Sequence, residues 1–298
     1  MIKPSKLKPG DAVGVVSPAG PVNRNELNAD LHFLKTKGFT VHVASHVYDR
    51  QEYLAGNDED RLSDLHDMFR NTKIKAVFCS RGGYGSLRLL DRIDYDLILK
   101  NPKILVGYSD ITALLAAIFK KTGLITFHGP MVKGLSSLPE TAWQNLIRII
   151  SSEQVTSFSP MAGYPLRGGK ATGPIMGGNL SLICRLLGTP FMPNLAGCIL
   201  VIEDRGEALY RVDRMLTHLT LAGSLEGIKG LITGQFIDCG EQAAIDRLIK
   251  ARFTPMNIPI VAGFPLGHGP ENTTLPLGVL AELDTDVMSL SLLESVVV

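Results

Sequence analysis

No C-x-x-C pair, no block of basic residues, no apolar run of bilayer length and no fixed-period repeat occur in these 298 residues, and each absence closes off a class of protein. The four cysteines, Cys79, Cys184, Cys198 and Cys239, lie far apart and mostly in apolar surroundings, which reads as buried free thiols rather than a disulfide framework. Thirty basic residues balance 29 acidic ones to a formal charge of +1, without basic and aromatic residues interleaved, so no nucleic-acid footprint is visible. The longest apolar runs, such as LLAAIF, fall far short of the ~18–20 residues that span a bilayer. Near the start, AVGVV is broken by Ser17 and Pro18 and is too short for a secretory apolar region. A soluble, cytoplasmic protein with no membrane partner is the expectation. Neither G-x-G-x-x-G, the P-loop pattern nor H-E-x-x-H is present, so no nucleotide cofactor and no metal is expected.

What remains is a chain that is 45% hydrophobic and 20% charged, enough for a large buried core and, by length, for two domains. AVGVV (12–16), FTVHVA (39–44), KAVFCS (75–80), KILVGY (103–108) and LITFHGP (124–130) read as strands. Helical patterns alternate with them. Leu27, Leu31 and Leu34 share one helix face before a stop at Gly38, and a second helix from Asp58 to Arg70 follows Asn57 as its cap. Apolar strands alternating with amphipathic helices predict a doubly wound α/β fold with a parallel sheet covered on both faces. Residues 151–170 are rich in Ser, Gly and Pro and lack helical periodicity. The chain therefore divides into an α/β domain over 1–150, a linker over 151–170, and a smaller, β-rich α+β domain over 171–298.

Four strand ends carry polar groups, and in open parallel sheets strand carboxyl ends are where sites form. In VGYSDIT, Ser109 follows the fourth strand where a helix begins, and the backbone N–H of Asp110 points where an oxyanion would sit. The G-x-S-x-G elbow is incomplete, since Gly107 matches its first glycine but Ile111 occupies the second. Locally, Ser109 as nucleophile and Ser109 or Asp110 as a plain helix cap both stand. In CSRGGYGS, Gly82 and Gly83 let backbone approach a ligand and offer N–H groups to an anion, or simply make a turn. Glu203 and Asp204 end the strand CILVIED, and a buried carboxylate there needs a partner. His268 lies between two glycines in FPLGHGP, with His128 in TFHGP as its rival for a base. Ser109, Glu203 and His268 can meet only through the tertiary fold.

Together the segments GDAVGVVSPAGP, SRGGYGS, GYSDIT, TFHGPM, GGNLSL, LGTP, ILVIEDRGE, YRVDRML and GFPLGHG, in this order, resemble the LD-carboxypeptidases of peptidase family S66 over nearly the whole chain. That family also includes hydrolases of the microcin C immunity type. The resemblance implies Ser109 as nucleophile, Glu203 as the triad acid and His268 as the base. It also implies oxyanion donors at Asp110 and at Gly82 or Gly83, and an N-terminal domain of the class I glutamine amidotransferase-like type. The implied substrate is a murein tetrapeptide, cut before its terminal D-Ala during cell-wall recycling, by a homodimer. Hydrolysis of a peptidyl-adenylate-like antibiotic is the alternative within the family, and a non-catalytic muropeptide-binding protein the alternative outside it. Arg81, Arg211 and Arg214 are candidates for the free carboxylate of the departing residue, because guanidinium matches carboxylate in two places.

Overall fold

The computed structural model describes residues 1–159 and 161–298. Its first half runs β1 (Ala12–Val16), α1 (Arg24–Thr36), β2 (Thr40–Val43), α2 (Asp58–Arg70), β3 (Ile74–Cys79), α3 (Tyr95–Lys100), β4 (Ile104–Gly107), α4 (Thr112–Thr122), β5 (Thr126–His128) and α5 (Glu140–Ser151). The second half runs β6 (Ser157–Phe158), β7 (Tyr164–Arg167), β8 (Lys170–Asn179), α6 (Leu180–Leu186), β9 (Ile199–Arg205), α7 (Leu209–Leu221), β10 (Gly230–Ile237), α8 (Gln242–Phe253), β11 (Ile260–Ala262), β12 (Leu275–Leu277), β13 (Leu280–Asp284) and β14 (Ser289–Leu292).

Two sheets organise these elements, a six-stranded one in the order β12-β5-β4-β3-β1-β2 and an eight-stranded one in the order β6-β14-β13-β8-β9-β10-β11-β7. In the first, β1 to β5 are parallel and β12 runs antiparallel beside β5. Residues from the end of the chain thus return to the sheet formed by its beginning. In the second, β8, β9, β10 and β11 are parallel, and antiparallel strands close both sides. Residues 151–170 contribute β6 and β7 to that sheet.

Local chemistry explains the element ends. The Asn23 and Asn57 side chains accept from the amides of Glu26 and Asp60 and so cap α1 and α2, while Gly123, at φ 72°, ends α4 in the left-handed conformation. α4 is buried along most of its length, as an Ala- and Leu-rich helix between two layers must be. All four cysteines are buried and free. No helix among the described residues is long and apolar enough to cross a membrane.

The strand order places a reversal beside β1, whose neighbours β2 and β3 are entered from opposite directions. The loops after β1 and β3 meet at the carboxyl edge of the sheet, on the side where sites form in such folds. There the loop after β3 brings Gly82, whose carbonyl accepts the Gly20 N–H from the loop after β1 at 3.1 Å.

Candidate active site

β4 is buried throughout and delivers the chain to Ser109, which adopts φ 61°, a left-handed conformation that side chains avoid. Such a residue costs roughly 1–2 kcal/mol and persists only where its surroundings hold it. Ser86 supplies that hold: its N–H donates to the Asp110 carboxylate at 2.9 Å and its hydroxyl to the Asp110 carbonyl at 2.6 Å. Ile111 helps from the other side, because a Cβ at Gly107 would lie 2.6 Å from its Cγ2. One glycine beside a bulky Ile111 therefore serves where the usual elbow has two. Neither Ser109 nor Asp110 caps a helix with its side chain, and the cap reading is set aside. On the facing loop, a Cβ at Gly82 would fall 3.0 Å from the Ser109 hydroxyl oxygen, so that wall has room for backbone alone.

His268 lies in the loop between β11 and β12, where the Asn272 side chain accepts the Gly267 N–H at 3.0 Å. The His268 Nε2 is 3.1 Å from the Ser109 Oγ, and its Nδ1 is 2.7 Å from Glu203 Oε2. Glu203 is fully buried. Its carboxylate accepts from His268, which places the ring proton on Nδ1 and leaves the Nε2 lone pair toward the serine. The second Glu203 oxygen accepts from Asn179 Nδ2 at 3.2 Å, and the same amide group donates to Asp204 Oδ1 at 3.0 Å. Asn179 is itself fixed as the cap of α6, its oxygen accepting from the Leu182 amide. The Tyr108 ring packs edge-on against His268 at 5.0 Å between centroids.

Asp204 accepts from Asn179 and from the Ser181 and Arg205 amides, and burial pushes its carboxyl up to about 6, with the nearby Glu203 charge adding to the rise. A raised carboxyl binds its proton more tightly when folded, so its ionisation destabilises the fold as pH rises from about 4 to about 6. The stability of wild type relative to Asp204→Asn is expected to fall over that window by up to about 3 kcal/mol, since each tenfold difference in proton affinity between folded and unfolded chain is worth about 1.4 kcal/mol. Urea denaturation at pH 4 and pH 7 measures it; a difference independent of pH would contradict the burial argument.

His128, the other candidate base, does not line the cavity that Ser109 and His268 face. It is fully buried, neither ring nitrogen has a partner among the described residues, and burial drives it down to about 4, which makes it a weak base.

Ser109, His268, Gly82 and Gly83 face a cavity of about 390 Å³ that also receives Arg81, Lys133 and Arg205, three cations with no carboxylate among its lining side chains. The Arg81 Nε donates to the Gly82 carbonyl at 3.2 Å. Lys133 reaches outward to Glu26 at 3.0 Å, and Arg205 to Asp238 at 3.4 Å. Arg211 and Arg214 do not line this cavity, a correction to the sequence expectation. Both sit near the start of α7, beyond the turn at Gly206, and line a different cavity. Lys133 and Arg205 escaped the sequence reading, although each stands just past a strand or at its end, Lys133 after β5 and Arg205 at the last position of β9. Among the described residues one group of side chains has metal-binding spacing, His46, Asp49 and Asp60, but none of the three lines the Ser109 cavity.

Known proteins resemble this chain over most of its length. The model of the LD-carboxypeptidase N-terminal domain matches residues 13–129, and that of the LD-carboxypeptidase C-terminal domain residues 172–283. A probable murein peptide carboxypeptidase of Bacillus subtilis is 38% identical, over 95% of this chain and 92% of its own. The murein tetrapeptide carboxypeptidase of Pseudomonas aeruginosa is 34% identical, over 91% of this chain and 92% of its own. Among solved structures, an MccF-like protein of Bacillus anthracis superposes with a TM-score of 0.93 at 30% identity, covering 99% of this chain and 100% of that one. A muramoyltetrapeptide carboxypeptidase of Oxalobacter formigenes gives 0.81 at 30% identity, covering 94% and 97%.

Proposed function

The chain belongs to the LD-carboxypeptidase family, and from that premise we propose that it is a serine carboxypeptidase releasing the terminal D-Ala of murein tetrapeptide, with Ser109, His268 and Glu203 as its catalytic residues. The observation that carries the reading is the Ser109 cavity, with three cations and no carboxylate. An enzyme that removes one terminal residue must hold a free carboxylate beside the scissile bond, and Arg81, Lys133 and Arg205 are the groups that match it.

In the reaction His268 Nε2 takes the Ser109 proton as Oγ attacks the carbonyl of the third residue. The resulting oxyanion is met by the N–H of Asp110 and by that of Gly83. Gly83 is assigned because the Gly82 carbonyl turns to Gly20, and the N–H of the same trans peptide points the opposite way. Glu203 holds the imidazole tautomer and stabilises its cation. His268 then returns the proton to the amine of the departing D-Ala, leaving an ester on Ser109. Water, deprotonated by His268, cleaves that ester and frees the tripeptide. The expected setting is cytoplasmic recycling of cell-wall peptides, with a homodimer as the assembly.

The family's other chemistry supplies a second reading, hydrolysis of a peptidyl adenylate. Its motive is the 29% identity with the Microcin C7 self-immunity protein MccF of Escherichia coli. Against it, Trp143, the one tryptophan, is buried edge-on against Phe33 at 4.9 Å and offers no face to a nucleobase.

Mass spectrometry of products from murein tetrapeptide, pentapeptide and an aminoacyl adenylate analogue with a cleavable phosphoramidate tests the choice. D-Ala from the tetrapeptide alone is the expected result; cleavage of the phosphoramidate alone would replace the first reading with the second. Replacing Arg81, Lys133 or Arg205 singly with Gln is expected to raise KM about tenfold or more, since a hydrogen bond to a charged group contributes about 1.5–3 kcal/mol. Steady-state kinetics that left all three KM values unchanged would remove the carboxylate assignment.

A further inference from the structure

Arg61 stands on α2, is fully buried, and does not line the Ser109 cavity. Its Nη1 donates to the Pro18 carbonyl in the loop after β1, and its Nη2 to the Asp58 carboxylate. The Nε has no partner among the described residues. Burying a cation is expensive, and an apolar side chain of similar volume often serves stability as well or better. Packing alone is therefore a poor account of this arginine.

What sets Arg61 apart is what its guanidinium holds. The loop after β3 passes directly over it: a Cβ at Gly85 would lie 2.6 Å from Nη1, and Gly85 adopts φ 136°. Just beyond, Arg88 in the 3₁₀ turn Ser86–Leu89 reaches back to the same Asp58, its Nη2 2.8 Å from Oδ2 and its Nε 2.9 Å from Oδ1. Ser86, in that turn, is the residue whose N–H and hydroxyl hold Asp110, the other oxyanion donor. On the opposite side, Pro18 stands two residues before Gly20, whose N–H donates to the Gly82 carbonyl at 3.1 Å. That bond decides which way the Gly82–Gly83 peptide faces, and so where the Gly83 N–H points. Arg61 touches both loops that make it.

We propose that Arg61 is a positioning residue for the oxyanion hole: with Asp58 and Arg88 it clamps the loops after β1 and β3 so that the Gly83 N–H faces Ser109. The proposal rests on the reading of Ser109 as nucleophile and Gly83 as oxyanion donor, and not on which peptide is cut. A peptide released to turn over presents its carbonyl where negative charge develops, repelling what the N–H would attract. The loss falls on the transition state rather than on substrate binding, because the charge exists only there.

The test sets wild type beside Arg61→Ala and Arg88→Gln, with folding checked by circular dichroism. Two rates are read, tetrapeptide hydrolysis and the labelling of Ser109 by a fluorophosphonate, in which the Oγ–P bond forms, fluoride leaves and His268 takes the hydroxyl proton. Arg61→Ala is expected to lower kcat and the labelling rate in parallel by about 10²- to 10³-fold, the cost of one oxyanion donor, with KM nearly unchanged. Added guanidinium ion should restore part of both rates to Arg61→Ala and none to Ser109→Ala, which a merely structural loss would not allow. Arg88→Gln should lower both rates in the same ratio and to a lesser degree. Its side chain is 44% exposed, so this variant decides alone if Arg61→Ala does not fold. Wild-type kcat and labelling in the folded variants, or a raised KM with kcat unchanged, would overturn the proposal. If wild type is labelled yet leaves tetrapeptide intact, the carboxypeptidase reading falls while the labelling rates still decide the role of Arg61.

Discussion

Ser109→Ala is expected to lower kcat for tetrapeptide hydrolysis by about 10⁴- to 10⁶-fold, leaving only what binding and the oxyanion donors supply. KM should change little, because the hydroxyl joins the substrate only as the bond forms. Stability should not fall with activity, since Ala at φ 61° carries the same backbone strain as Ser. Ser109→Gly separates the two roles: it removes the nucleophile and relieves a backbone strain of roughly 1–2 kcal/mol. The glycine variant is expected to unfold at higher urea than wild type while being as inactive as the alanine one. A glycine variant less stable than wild type would mean that the elbow is not strained.

Glu203→Gln is expected to cost about 10³- to 10⁴-fold in kcat, more than the loss of one hydrogen bond explains. The reason is the direction of the bonds around it. Glu203 accepts on both oxygens, from His268 on one side and Asn179 on the other. A glutamine has one acceptor and one donor end. If its oxygen faces His268, its NH₂ meets the NH₂ of Asn179 inside a fully buried site, and an unpaired buried donor costs about 1–3 kcal/mol. If it turns over to satisfy Asn179, its NH₂ faces His268 Nδ1, which must then accept. The ring proton moves to Nε2, and the base loses the lone pair aimed at Ser109. Proton NMR of the imidazole would detect the exchanged tautomer, and a variant within tenfold of wild type would deny Glu203 its role.

Some parts of the site are legible before the fold and others are not. Asn57 and the apolar face of α2 are consecutive in the chain and read directly as a capped helix from Asp58 to Arg70. Ser109 lies just past β4, Glu203 inside β9 and His268 in the β11–β12 loop, each in a motif of its own, but how the three come together no local pattern encodes. The elbow pattern is incomplete in sequence because Ile111 stands where its second glycine would, and Ile111 packs into the space that a side chain at Gly107 would fill. Arg211 and Arg214 look equivalent to Arg205 in sequence; the turn at Gly206 sends them to another cavity, which only the path of the backbone reveals. β8 is hidden for a different reason: GPIMGGN has the composition of a loop, yet Gly177 and Gly178 lie in a strand whose backbone runs close against Val201 and Thr112.

Every step proposed for this enzyme depends on Ser109 carrying the acyl group between the two halves of the reaction. Rapid-quench mass spectrometry of the whole protein mixed with murein tetrapeptide tests that directly. The expected result is a tripeptidyl adduct mapping to Ser109, formed together with a burst of free D-Ala and absent from Ser109→Ala. D-Ala released at an undiminished rate by Ser109→Ala, with no adduct in either protein, would contradict it.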